Sequence, residues 1–166
     1  RQRQSDSIVG AIRDIRHLGD ESPIADRTPI LIVGDMNVLA VEPADPALHL
    51  TTLLTGNIVD EEAFGADFPL DWDGSHLVEA KPRHNSREKE FYTWREDSTP
   101  FPPGALDRII YTDSVLVLNH SYILNTTRMT PQELSEAGLL ATDVLWENEP
   151  GNFDHLPLVA DFSIRR

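Results

Sequence analysis

The chain has 166 residues, with 14 Lys and Arg against 28 Asp and Glu, a net charge of −14, and no cysteine. That excludes disulfides, zinc–thiolate sites, iron–sulfur clusters and cysteine nucleophiles. It also disfavours a long nucleic-acid groove, whose affinity rests on basic side chains neutralising phosphates. The apolar fraction of 40% and charged fraction of 25% are those expected of a folded, soluble chain. A chain of this length suits one domain or part of a larger one.

Read in chain order, Ile8, Ile12 and Ile15 recur at helical spacing, with Val9, Ala11 and Leu18 widening the stripe and Gly19 ending it. A polar loop over 20–28 leads to Pro29, and Ile30-Leu31-Ile32-Val33, closed by Gly34, predicts a fully buried strand. The stretch 45–56, with Leu48, Leu50, Leu53 and Leu54, predicts a short second helix. Residues 60–81 read as irregular and acidic, anchored by Phe64, Phe68, Leu70 and Trp72, and 91–94 (Phe-Tyr-Thr-Trp) has strand propensity. After a loop at 100–104, two strands are predicted over 106–112 and 114–124, with a tight turn at Thr112 and Asp113. Thr130-Pro131-Gln132-Glu133 is a helix start with a capping box, and Gly138 stops that helix. A final strand over 156–164 puts Leu158, Ala160, Phe162 and Ile164 on one face. The whole of 1–166 reads as a single unit of helices and strands in layers.

Four places put polar side chains where packing or a strand end is expected. Gly34-Asp35-Met36-Asn37 follows the apolar run; Asp35 there can orient a water and Asn37 can donate to an anionic oxygen, or the two can simply bond their own backbone in a turn. Asp107 shares a strand face with Ile109 and Tyr111 and needs a committed partner, which Arg108, on the opposite face, is badly placed to be. Asp154 and His155 precede the last strand, offering a carboxylate and a titratable imidazole side by side. Asp107 is available to hold His155 in one tautomer, an arrangement common at hydrolytic sites. The fourth, Thr93-Trp94, reads as core more readily than as substrate contact. The remaining histidines, His17, His49, His76, His84 and His120, have no supporting context. Asp71-Trp72-Asp73-Gly74 begins like a calcium loop but places Gly too early. Asn119 and Asn125 open glycosylation-type tripeptides, a pattern frequent by chance.

The order of Pro29-Ile30-Leu31-Ile32-Val33-Gly34-Asp35-Met36-Asn37, then 91–94, then Leu106-Asp107-Arg108-Ile109-Ile110, then Asp154-His155-Leu156-Pro157-Leu158-Val159 resembles the carboxy-terminal half of the endonuclease/exonuclease/phosphatase superfamily. The resemblance covers nearly the whole chain. It implies an α+β fold, a layered α/β sandwich of the DNase I-like type, and a metal-dependent phosphoesterase: a nuclease, phosphodiesterase or phosphatase. Carried over residue by residue, Asp35 would activate the attacking water and Asn37 would bind a phosphate oxygen. Asp154 would contribute to a Mg²⁺ or Mn²⁺ site, and His155, oriented by Asp107, would contact the phosphate and move a proton. The family's first half carries a further Asn and a metal-binding Glu on early strands, and this chain has neither segment. With Arg1 opening the sequence, the expectation is the carboxy-terminal portion of a longer protein, or a half completed by a second chain. The alternative is a non-catalytic binding or scaffold homologue that keeps the fold without turnover. No apolar run reaches the roughly 20 residues of a membrane span.

Overall fold

The computed structural model describes residues 1–17, 24–38, 48–86, 89–153 and 155–166. Its principal elements are α1 (Gln2–His17), β1 (Leu31–Asp35), α2 (Leu48–Thr55), α3 (Glu61–Phe64), β2 (Val78–Ala80), β3 (Asp107–Tyr111), β4 (Leu116–Ile123), α4 (Pro131–Ala137) and β5 (Leu158–Ile164). The fold is mixed α+β. A three-stranded sheet runs β1-β3-β2 and a two-stranded sheet pairs β4 with β5; every ladder is antiparallel. Among the described residues no helix is long and apolar enough to cross a membrane.

The alternation along β3 separates two cores. Ile110 faces the helical side, where it joins Val9 and Ile12 of α1, Leu50 and Leu53 of α2, Ile32 of β1, and Leu70 and Leu77. Ile109 and Tyr111 face the other way and pack with Leu116 and, on β5, with Leu158, Ala160 and Phe162. The Tyr111 and Phe162 rings, 4.9 Å apart between centroids, join the two sheets. β3 and β4 are consecutive along the chain, yet they belong to different sheets: the turn at Thr112 redirects the backbone, with Leu116 N–H donating to the Thr112 carbonyl.

Several expectations are corrected. β1 is buried on one face only: Ile32 is 8% exposed, but Leu31 is 45% and Val33 62% exposed, because β4 and β5 cover that face of the sheet incompletely. The buried stripe of α1 is rotated from the isoleucine stripe. Val9, Ile12, Ser5 and Asp6 are buried, whereas Ile8 and Ile15 lie at the surface. Asp6 earns that place by accepting from the Val59 N–H at 3.1 Å, the Asp60 N–H at 3.3 Å and Gln2 Nε2 at 2.8 Å, so its burial is fully compensated. Residues 91–94 form no ladder; Trp94 and Arg95 make single bridges to Gly104 and Phe153. The stretch 60–81 is more ordered than expected, holding α3 and the edge strand β2. Leu18, Gly19 and residues 45–47 lie outside the described residues. The expected capping box is present: Thr130 Oγ1 accepts from Glu133 N–H, Glu133 accepts from Thr130 N–H, and Gly138 takes a left-handed φ of 68°. Asn125 is fully buried and bonded to His84 and Thr127, which argues against its glycosylation.

Arg108, on the helical face of β3, forms an ion pair with Glu79 of β2, their side chains 12% and 9% exposed. A buried pair is costly to break from one side, because the survivor keeps its desolvation penalty. Arg108→Leu should therefore destabilise the chain by about 3–5 kcal/mol in urea unfolding, and adding Glu79→Leu should recover much of that loss.

At the β3–β4 turn, partial burial and the neighbouring Asp71 carboxylate push the Asp113 carboxyl above its ordinary value. A raised folded-state value means that the native state binds this proton more readily than the unfolded chain. The penalty is thus complete at neutral pH and relieved as pH falls into the carboxylate range. Asp113→Asn should raise Tm at pH 7, with the advantage shrinking toward roughly pH 4 and below.

Candidate active site

The β1–β3 register sets the geometry of the site. Leu31 stands opposite Tyr111, Val33 opposite Ile109 and Asp35 opposite Asp107. Directly opposed residues of an antiparallel pair project from the same face, so Asp35 and Asp107 leave the same face where the strands end. Like charges in that position repel, and each carboxylate is held by other groups.

Asp107 Oδ2 lies 2.7 Å from His155 Nδ1, with side-chain exposures of 22% and 37%. The partnership anticipated from an acid on an apolar strand face is therefore present. With Nδ1–H donating to the carboxylate, the neutral ring carries its lone pair on Nε2. Asp35 accepts from the Asn37 backbone N–H at 2.7 Å and from Asn37 Nδ2 at 3.0 Å. Asn37 has a left-handed φ of 53°, a conformation that Asn tolerates better than most side chains. Arg1 braces this turn from outside, donating to the Asn37 carbonyl at 2.9 Å and to Asn37 Oδ1 at 3.1 Å. Asp35 and Asn37 thus use the short backbone bonding open to them as turn residues, while the β1 register keeps Asp35 beside Asp107. Asp154, the expected metal ligand, lies outside the described residues.

Two residues named in the sequence, Thr93 as core and His49 without context, turn out to support the site. Thr93 is 1% exposed, and its Oγ1 accepts from the Leu106 and Asp107 N–H groups, both at 3.0 Å. Its carbonyl accepts from the Leu156 N–H at 2.7 Å. One buried threonine therefore fixes the backbone on both sides of the Asp107–His155 pair. His49 Nε2 lies 3.1 Å from the Met36 carbonyl, supporting the 34–37 turn from α2. Nothing in the local sequence marks these supporting roles; both act through backbone groups distant in the chain.

His155 lies between two clefts. One, of about 490 Å³, runs between the sheets and is lined by Leu31, Val33, Asp107, Leu158 and Phe162. The other, of about 460 Å³, opens toward the loop that carries Trp146. Comparison with protein-family models, with curated proteins and with solved structures finds no match to this chain.

Removing the Thr93 hydroxyl should strand two backbone amides at the site. Thr93→Val is expected to lose about 1–3 kcal/mol of stability, while Thr93→Ser keeps the acceptor and most of the stability. Thermal melts of the two variants separate loss of the acceptor from loss of the methyl group.

Proposed function

We propose that this chain is the water-activating and proton-transferring part of a metal-dependent phosphoesterase, in a layered sandwich of the DNase I-like type. The observation that carries the proposal is the placement of Asp35 opposite Asp107 at the ends of two paired strands, with His155 bonded to Asp107. The motif resemblance joins these same residues, and the register brings them to one face.

In this reading Asp35 takes a proton from the attacking water. Asn37 uses one amide hydrogen on Asp35 and has a second to offer a phosphate oxygen, since a carboxamide carries two donors. His155, its tautomer set by Asp107, exchanges a proton with the phosphoester and places charge beside it as negative charge develops. The oxygen donors suit Mg²⁺ or Mn²⁺, hard ions that typically take one or two carboxylates and complete their shell with water and phosphate. Asp154, the metal carboxylate that the resemblance implies, would hold such an ion, which when bound supplies Lewis-acid neutralisation of the phosphoryl group. Among the described residues no group of three or more His, Asp or Glu gathers as a metal cage. Further ligands would come from a preceding segment of a longer protein or from a second chain, and the exposed Leu31 and Val33 offer a face on which such a layer could rest.

A second reading also has support. Asn37 engages both Asp35 oxygens in a turn-type bond, an arrangement that a binding or scaffold homologue without turnover could equally use. The deciding test is Mg²⁺-dependent hydrolysis of DNA, RNA and small phosphodiesters by the complete protein. His155→Ala should lower that rate about 10²–10⁴-fold with little change in Tm, because it removes a partly exposed acid–base group. A His155→Ala rate equal to wild type would remove His155 from the mechanism. Absence of metal-dependent turnover across the panel would favour the binding reading.

A further inference from the structure

The cleft on the far side of His155 is built differently from the one between the sheets. Val144 and Leu145 are drawn into the small core of Ile123, Phe153 and Leu156. The next residue, Trp146, is turned outward and is 53% exposed. A tight turn holds it there: Trp146 N–H donates to the Asn152 carbonyl at 2.8 Å and Glu149 N–H to the Trp146 carbonyl at 2.9 Å. Trp146 shares the cleft with Leu145, Pro157 and His155, and the charged residues lining it are Asp143 and Glu147, both acidic. None of the described residues lining it is Lys or Arg.

We propose that this cleft binds a cationic organic group, an alkylammonium carried by the phosphoester whose phosphate His155 contacts. The proposal rests on the phosphoesterase reading for the phosphate end alone. An indole face is the strongest of the aromatic cation binders, and nearby carboxylates add attraction for the same charge. An anionic organic group, such as a polynucleotide chain leaving the site, would meet Asp143 and Glu147 and be repelled. A neutral apolar group would gain from Trp146 and Pro157 but nothing from the carboxylates. The cleft charge therefore selects among substrates that the hydrolytic residues treat alike.

The test is binding of phosphocholine to the ¹⁵N-labelled chain, followed at the Trp146 indole N–H, against 3,3-dimethylbutyl phosphate, the isostere that keeps the phosphate and replaces the trimethylammonium by a neutral tert-butyl group. Phosphocholine should shift the Trp146 indole resonance saturably, with the isostere at least about tenfold weaker. Trp146→Ala should weaken phosphocholine about tenfold, Trp146→Phe less, and Glu147→Gln should weaken it more at low salt than at high salt. Trp146 is exposed, so these variants should melt near wild type. Equal binding of the isostere, unchanged affinity in Trp146→Ala, or no saturation at millimolar phosphocholine would each overturn the proposal. This readout needs no turnover. Binding without hydrolysis by the complete protein would leave the cleft assignment standing and remove the phosphoesterase reading. Hydrolysis without preference for the ammonium would do the reverse.

Discussion

The central position of β3 is the constraint on which the rest of the molecule depends. Its five residues alternate between two environments, and that alternation sends Arg108 and Ile110 toward the helices and Asp107, Ile109 and Tyr111 toward the second sheet. A slip of one residue would exchange the faces, turning Asp107 toward Val9 and Ile12 and Arg108 toward the apolar second sheet, away from Glu79. The Arg108–Glu79 pair fixes the register from the β2 side. On the β1 side, the same register is what sets Asp35 opposite Asp107. Fold and candidate site are thus two consequences of one strand alignment.

Around that alignment, polar side chains are positioned mainly by bonds to backbone groups. Thr93 holds Asp107 and Leu156, His49 supports Met36, and Asn37 folds back on Asp35. Each bond crosses between segments that are short, irregular or at a strand end. Irregular backbone carries amides and carbonyls that no ladder satisfies, and these make convenient anchors for buried side-chain hydroxyls and imidazoles. The same logic explains Asp6 and Asp71, buried acids that bind loop amides and serve architecture, not chemistry.

The surfaces beside His155 have contrasting character. Leu31 and Val33 leave an apolar face on β1, whereas the Trp146 cleft combines one aromatic with two carboxylates. The first has the composition of a sheet face that another layer can cover, and the second that of a recognition surface. His155 stands between them, held by an acid from a strand that belongs to both cores.

Much was legible from the sequence alone. The α4 cap, the apolar run of β1, the inward face of β5 and the pairing of Asp107 with His155 all follow from local chemistry. Capping needs only neighbours in sequence, alternation reports a face, and a carboxylate among apolar residues demands a partner. What local pattern could not decide was which apolar residues find cover. Ile8 and Ile15 lost the buried face of α1 to Ser5 and Asp6, because the amides of Val59 and Asp60 lie there. Leu31 and Val33 stayed exposed because the second sheet does not reach them. Residues 91–94, β-prone in isolation, became a strap bonded to Gly104, Asp107 and Leu156. The cross-strand meeting of Asp35 with Asp107, and the outward turn of Trp146, depend on contacts between segments tens of residues apart. Only the tertiary structure decided those, since burial and register belong to pairs of segments and not to either one.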